Sequence, residues 1–210
     1  MVGRMDDGTA PGLRERKKQE TRDALSWAVI RLSVERGWDN VSVEDVAAAA
    51  NVSVRTFRNY FSGKAEAVVS RHTERMFRFA DELRGRPAGE PLDQAVKNAT
   101  LARMAPPEAT GDQTPSREWT DGVRLMLAEP DVQGEFLRAM AAAQAELATV
   151  VAERTGTDVG RDLYPSLVAA ATGAAVSTAM EHWLRADPPV PFGPLVREAL
   201  DRLWAGLPVP

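Results

Sequence analysis

Apolar residues recur at helical spacing through most of the chain. The clearest stripe follows the pattern i, i+3, i+4, i+7 and consists of Leu25, Ala28, Val29 and Leu32. Gly37 follows this stripe, at a position where glycine commonly ends a helix. The pattern therefore predicts a first helix over residues 14–36.

Two short helices joined by a tight turn are predicted next. The sequence SVED resembles a capping box, with Ser42 as the N-cap of a helix and Asp45 at its third position. This helix ends near residue 50, because Asn51 tolerates the left-handed backbone of a tight turn. A helix over residues 53–61 follows, and Ser62 is the predicted N-cap of a fourth helix that ends near residue 83.

Five longer helices are predicted in the rest of the chain. They cover residues 92–103, 118–128, 131–154, 163–185 and 192–203, and segments rich in proline and glycine separate them. Residues 104–116 form a long segment of this kind, which we expect to be mobile. No segment shows the pattern of a strand. The predicted fold is therefore all-α, with residues 1–12 as a disordered tail.

The composition limits the classes of function. With 210 residues, 44% of them hydrophobic, the chain can bury one sizeable core or two smaller ones. The absence of cysteine excludes disulfides and thiolate metal sites, and the two histidines, His72 and His182, lie far apart in the sequence. We therefore expect no metal and no cofactor. No nucleophile–base pair or phosphate-binding loop indicates an enzyme.

The N-terminus does not have the long apolar run of a signal peptide. No window reaches the roughly 18 uncharged apolar residues of a membrane-spanning helix. We therefore expect a cytoplasmic protein with no membrane partner.

Charge is distributed unevenly along the chain. The net charge is −4, but residues 10–64 contain ten Lys/Arg and seven Asp/Glu, a net charge of +3, whereas residues 65–210 carry −6. Such an asymmetry suggests two functions in one chain, although ordinary variation of surface charge explains it equally well.

The two short helices have the arrangement of a helix-turn-helix, in which the second helix lies in the DNA major groove. Phe57 and Phe61 occupy its inward positions and predict a buried face. The outward residue types suit DNA, since arginine binds guanine, asparagine binds adenine, and hydroxyls bind phosphate. These outward or edge positions are Val54, Arg55, Thr56, Arg58, Asn59 and Tyr60. The alternative is a plain helical hairpin with a solvated basic face.

The stretch LSVERGWDNVSVEDVAAAANVSVRTFRNYFSGKAEAV closely resembles the N-terminal domain of the TetR family of transcriptional repressors. The resemblance covers about fifty residues, from Thr21 to Val69. It implies an all-helical homodimer with a DNA-binding domain over residues 13–63 and a ligand-binding and dimerisation domain over residues 64–210. A two-fold dimer of this kind reads a palindromic operator in double-stranded DNA.

The resemblance also assigns individual DNA contacts. Recognition-helix contacts fall on Arg55, Thr56, Arg58, Asn59 and Tyr60, and phosphate contacts on Ser42 and Lys64. Val54 replaces a commonly polar residue, and Arg58 stands where the family often has an aromatic residue, which implies a distinctive operator. Basic residues at the start of the first helix can reach phosphates or the minor groove, or can simply be solvated: Arg14, Lys17, Lys18 and Arg22.

The last two predicted helices are the candidate dimer interface, because small residues permit close helix approach and the apolar stripe of the last helix is wide. The predicted interface residues are Leu167, Ala171, Ala175, Met180, Leu195, Val196, Ala199, Leu200 and Leu203. The alternative is that these stripes form the core of the monomer.

A flexible apolar ligand is expected in the larger domain, since methionine and aromatic residues suit such a molecule and equally suit ordinary core. The candidates are Met76, Phe79, Met104, Trp119, Arg124, Met126, Phe136, Met140 and Trp183, with Arg124 facing an anionic group. The body also resembles, more distantly, family members that sense acyl-CoA-like compounds. The predicted function is a repressor released by this ligand, and the alternative is a dimeric DNA-binding regulator without an inducer.

Overall fold

The computed structural model of the protein describes residues 12–104, 116–188 and 190–208. Within these ranges the chain forms helices and no strand, which confirms the predicted all-α fold. The helices are α1 (Leu13–Arg36), a 3₁₀ turn (Trp38–Asn40), α2 (Val43–Ala49), α3 (Val54–Tyr60), α4 (Lys64–Gly85), α5 (Leu92–Met104), α6 (Arg117–Leu127), α7 (Pro130–Thr155), α8 (Leu163–Arg185) and α9 (Phe192–Trp204). The predicted disordered tail and most of the predicted mobile segment lie outside the described residues.

Helices α1 to α3 and the start of α4 pack around one hydrophobic core. We call this group of helices the head. The α1 stripe packs there against Phe57 and Phe61, both of which are buried. The predicted capping box of α2 is present, because the Asp45 N–H donates to Ser42 Oγ at 3.1 Å and the Ser42 N–H donates to Asp45 Oδ2 at 2.9 Å. Asn51 has a φ of 53°, the left-handed conformation predicted for the turn.

The predicted N-cap of α4 is wrong by one residue. Gly63 holds that position, and the Ser62 side chain makes no capping bond. Instead, the N–H and the hydroxyl of Ser62 donate to Glu66 Oε2 at 2.7 and 2.8 Å. The Glu66 carboxylate in the first turn of α4 therefore binds Ser62, the residue before the N-cap. Gly63, which has an extended backbone, is the N-cap of the helix.

The remaining helices form a larger bundle around α4, which we call the body. Helix α4 packs on α1 at one side and on α5 and α7 at the other, while α8 packs between α7 and α9. One core of the body includes Phe79 and Leu83, and a second includes Met76 and Phe192. Helix α4 therefore belongs to both the head and the body.

Helix α8 is, among the described residues, the one helix long and apolar enough to cross a membrane by length and composition. This is weak evidence, because the core helix of a soluble protein has the same properties. In this fold α8 packs on α7 and α9, and 39% of its most apolar window is buried.

Candidate nucleic-acid interface and internal cavity

Helix α3 presents the polar surface that the sequence predicted. Arg55, Arg58 and Asn59 are exposed, while Val54, Thr56 and Tyr60 are partly buried. The Thr56 hydroxyl lies 2.8 Å from Ser53 Oγ, which caps the helix by accepting the Thr56 N–H. Neither Arg55 nor Arg58 forms an ion pair with another described residue, so both guanidinium groups are available to a ligand outside the protein.

Two of the predicted DNA contacts also hold the head together. Arg22 donates to Glu74 Oε1 of α4 at 2.9 Å and lies 4.7 Å from the centre of the Phe61 ring, so it joins α1 to α4. Ser42 is the cap of α2. Arg14, Lys17 and Lys18 are exposed at the start of α1. The role of all these residues in DNA binding stays a prediction.

Lys64 is held by the protein backbone. Its Nζ donates to the carbonyl oxygens of Trp38 at 2.7 Å and Val41 at 2.5 Å, and it lies 4.3 Å from the centre of the Trp38 ring. Burial lowers the pKa of this ammonium group, and the nearby Asp39 and Glu129 partly offset that effect. An ammonium has three donors, so one remains for the predicted phosphate contact.

The body contains a cavity of about 470 Å³ at its boundary with the head. Its walls come from α1, α4, α6, α7 and α8, and its size lies within the usual range for a small-molecule site. Six of the predicted ligand-binding residues line it: Met76, Trp119, Met126, Phe136, Met140 and Trp183.

Two predicted ligand residues lie elsewhere. Phe79 lies nearly one helical turn beyond the cavity residue Met76 and is fully buried in the core that α4 shares with α5 and α7. Arg124 is exposed and pairs with Asp121 at 3.0 Å. Both assignments to the cavity are therefore wrong. The side chain of Met104 lies outside the described residues.

The wall of the cavity formed by α1 and α4 was not predicted from the sequence. This wall includes Trp27 and Ile30 of α1 and the polar residues Arg71, His72 and Arg75 of α4. Trp27 and Ile30 are three residues apart and lie on the side of α1 away from the buried stripe, and this second apolar face was the available signal. The head helix α1 therefore contacts the interior of the body.

Two family models match this chain. The model of bacterial regulatory proteins of the tetR family matches residues 28–68, and the model of the MftR C-terminal domain matches residues 90–208, more than half of the chain. The chain belongs to the TetR family of transcriptional regulators.

Relatives of known name support this membership. The HTH-type transcriptional regulator TcmR of Streptomyces glaucescens is 33% identical over 189 residues, which cover 84% of this chain and 79% of TcmR. MftR of Mycobacterium tuberculosis is 28% identical over 195 residues, covering 91% of this chain and 93% of MftR.

Solved structures share the fold at low sequence identity. The fatty acid degradation regulator FadR of Bacillus halodurans superposes with a TM-score of 0.60 at 18% identity, covering 89% of this chain and 99% of FadR. FadR of Thermus thermophilus, solved in complex with lauroyl-CoA, superposes with a TM-score of 0.56 at 18% identity, covering 90% and 96% of the two chains.

The predicted dimer interface of this TetR-family chain is partly wrong. Val196 and Leu200 are 1% and 0% exposed, since they pack in the monomer core, and Met180 lines the cavity. Leu167 is 57% exposed, and it shares one face of α8 with the exposed Leu163. Of the other predicted interface residues, Ala171, Ala175, Leu195, Ala199 and Leu203 are partly buried. An apolar surface therefore lies at the start of α8, whereas much of the α9 stripe faces inward.

His72 is the buried titratable group of the cavity. Burial, helped by the positive charge of Arg75, lowers the pKa of its imidazole to about 4, so the ring is neutral at pH 7. The ring centre lies 4.7 Å from that of Phe136. The His72 Nε2 and Trp183 Nε1 atoms are enclosed and make no hydrogen bond within the described part of the chain. His72 and Trp183 both line the cavity, so each contributes one enclosed polar group to its wall.

We expect Lys64→Met to destabilise the protein by about 2 kcal/mol. The change removes two charge-assisted hydrogen bonds and leaves the Trp38 and Val41 carbonyls without their partner. Urea unfolding followed by circular dichroism measures the loss. Lys18→Met is the control, because Lys18 is exposed and only pairs with Glu15 at 3.7 Å. Equal stability of the two variants would show that Lys64 has no structural role.

Proposed function

We propose that this TetR-family regulator is a homodimeric repressor that binds a palindromic operator and is released by a lipophilic small molecule. The observation that carries the proposal is that α1 and α4 each belong to the head and also line the cavity. A ligand that fills the cavity therefore touches the helices that position α3. The proposed DNA-contact residues are those of the sequence analysis, with the exposed Arg55, Arg58 and Asn59 as the base-reading set.

The mechanism is a shift between two arrangements of head and body. A ligand that binds one arrangement more tightly changes the spacing of the two α3 helices in a dimer. A tenfold loss of operator affinity requires a difference in binding free energy of only about 1.4 kcal/mol.

The apolar wall of the cavity supports a lipophilic effector. Lauroyl-CoA, which is bound in the Thermus thermophilus FadR structure, is one compound of this class and a suitable member of a test panel. The family membership supports a protein that acts on cytoplasmic DNA without catalysing a reaction.

Selection of bound sequences from a random DNA pool, at near-physiological salt, tests the proposal. A palindrome whose half-sites lie about one helical turn or a small multiple apart is expected. Enrichment of no sequence, at any salt concentration and with protein freed of lipophilic compounds by organic extraction and refolding, would contradict it.

The second candidate function is a dimeric regulator without an inducer, in which the cavity is only a packing defect. A panel of lipophilic compounds, including lauroyl-CoA, separates the two candidates by release of the selected operator. A ligand that binds the cavity and leaves operator affinity unchanged favours the second candidate.

The contact between α1 and α6 offers a test of coupling between head and body. A Cβ atom at Gly122 of α6 would lie 2.7 Å from Val34 Cγ1 of α1, closer than any real contact allows. Alanine gains about 1 kcal/mol over glycine in a helix, but overpacking costs about 1 to 3 kcal/mol. Gly122→Ala should therefore be less stable than the control Gly134→Ala, whose Cβ meets only Arg138, at 3.8 Å.

Adding Val34→Ala to Gly122→Ala should recover most of the stability, because it removes the atoms that clash. A double-mutant cycle with urea unfolding measures this interaction free energy. If the two changes have additive effects on the free energy of unfolding, the side chains at positions 34 and 122 do not clash.

A further inference from the structure

The charged residues of the cavity wall are all basic. Arg71 and Arg75 line it, and no aspartate or glutamate is among its described lining residues. Both arginines lie on α4, on either side of the neutral His72 and one helical turn apart. One wall of a mostly apolar cavity therefore carries positive charge and an imidazole whose enclosed Nε2 has no partner among the described residues.

Arg71 also links the cavity to the head. Its guanidinium carbon lies 4.2 Å from the centre of the Trp27 ring, and its Nη1 lies 4.0 Å from Asp23 Oδ1, both on α1. The Arg71 side chain is 18% exposed, while that of Asp23 is 41% exposed. At 4.0 Å this is a long ion pair, and a guanidinium has five donors, so Arg71 retains donors for a second carboxylate.

We propose that the effector is an apolar molecule with one carboxylate, and that this carboxylate binds Arg71 and the neighbouring His72 in competition with Asp23. The inference rests on the proposed function, because it names the ligand class of the same cavity.

Electrostatics select an anion over a cation at this wall. A carboxylate in an apolar cavity is expensive unless it is paired, and Arg71 supplies the pair. A cationic ligand of the same shape would meet the like charge of Arg71, which the long ion pair with Asp23 offsets only in part. A neutral ligand gains only the apolar contacts.

The competition for Arg71 supplies a physical route to the DNA-binding head. When a carboxylate takes the guanidinium, the contact between Asp23 and Arg71 weakens, and with it one link between α1 and α4. Asp23 keeps its second contact, since it accepts the Gln19 side-chain amide at 3.2 Å. The effector thereby favours an arrangement in which α1 is less tightly held against α4.

Three probes of equal chain length test the charge preference: dodecanoate, dodecanol and protonated dodecylamine, all below their micelle concentrations. Binding is measured at pH 7 by tryptophan fluorescence, because three of the five tryptophans, Trp27, Trp119 and Trp183, line the cavity. Dodecanoate should bind at least tenfold more tightly than dodecylamine, with dodecanol between them. Equal or tighter binding of the amine overturns the proposal.

The Arg71→Gln variant tests the assigned contact. It should lose at least tenfold in dodecanoate affinity and change less than twofold for dodecanol, and the neutral probe also shows that the cavity is intact. His72→Phe, which preserves the ring contact with Phe136, should lose about threefold for dodecanoate. Arg78→Gln is the control, because Arg78 is exposed on α4 and pairs with Glu74. Equal losses for both probes in Arg71→Gln overturn the assignment.

The Asp23→Asn variant tests the competition. It should bind dodecanoate about threefold more tightly, since the competing carboxylate is gone, and its operator affinity should respond less to dodecanoate than that of the unchanged protein. Unchanged binding of dodecanoate contradicts the competition.

A second acid, 2-naphthoate, distinguishes an aromatic from an aliphatic carbon skeleton, and failure of both acids to bind overturns the inference. The measurements of ligand binding need no DNA. Failure of the proposed function would instead appear as the absence of a selected operator.

Discussion

Replacing Leu167 with glutamate is expected to convert the protein to a monomer and to reduce its operator affinity at least a hundredfold. Leu167 is 57% exposed in the monomer and lies with Leu163 on an apolar face of α8. In the proposed two-fold dimer this face is buried, and a glutamate there loses its hydration without gaining a partner. Separating two linked binding modules typically costs about 10² to 10⁴ in affinity.

Sedimentation equilibrium measures the oligomeric state, and fluorescence anisotropy measures operator affinity. Leu125→Glu is the matched control, because Leu125 is 67% exposed on α6, outside the proposed interface. The control should remain a dimer with unchanged affinity. If Leu167→Glu also remains a dimer, the start of α8 does not form the interface.

The local features of the head were accessible from the sequence because short-range interactions determine them. The capping box of Ser42 and Asp45 needs only two side chains three residues apart. The left-handed Asn51 follows from the tolerance of asparagine for that conformation. The cap of α4 was misplaced because Ser62 and Gly63 are both acceptable there, and only the bonds from Ser62 to Glu66 decide between them.

The sequence shows which helix faces are apolar. It does not show whether such a face packs within the monomer or on a second subunit, and the predicted interface was partly wrong for this reason. The stripe of α9 is consistent with either an interface or a core, and the packing of α9 on α8 buries Val196 and Leu200 in the monomer. Conversely, Leu163 and Tyr164 are the first two residues of α8 and do not belong to a long apolar stripe. Their exposure therefore could not be predicted from the sequence pattern and is seen only in the structure.

The cavity was only partly predictable for a similar reason. Six of its lining residues were predicted correctly from their type, because methionine and aromatic side chains fill irregular apolar spaces. The charged wall was missed. Arginine and histidine in the middle of α4 resemble a solvated surface in the sequence, and only the packing of α1 and α7 across them encloses the site. The arginines that line the cavity are Arg71 and Arg75, and Arg124 is not among them.

Replacing Arg58 with alanine is expected to lower specific operator affinity about 10- to 100-fold per half-site and to leave non-specific affinity nearly unchanged. The Arg58 side chain is exposed on α3 and forms no ion pair with the described residues. A bidentate contact from arginine to guanine contributes about 1 to 3 kcal/mol of discrimination against other bases. Because Arg58 is exposed and Phe57 is the buried residue of α3, the removal of the Arg58 side chain should not disturb the core of the head.

Base reading is separated from phosphate binding by two affinities, one for the selected operator and one for unrelated DNA. Each affinity is measured over a range of salt concentrations. A base-reading arginine should relax the preference at one base pair of each half-site, whereas a phosphate-binding one lowers the salt dependence of binding to every sequence. Arg202→Ala is the control, since Arg202 is exposed on α9 and pairs with Glu198 at 2.9 Å. Equal losses on operator and unrelated DNA would assign Arg58 to the phosphate backbone and leave Arg55 and Asn59 as the base-reading side chains of α3.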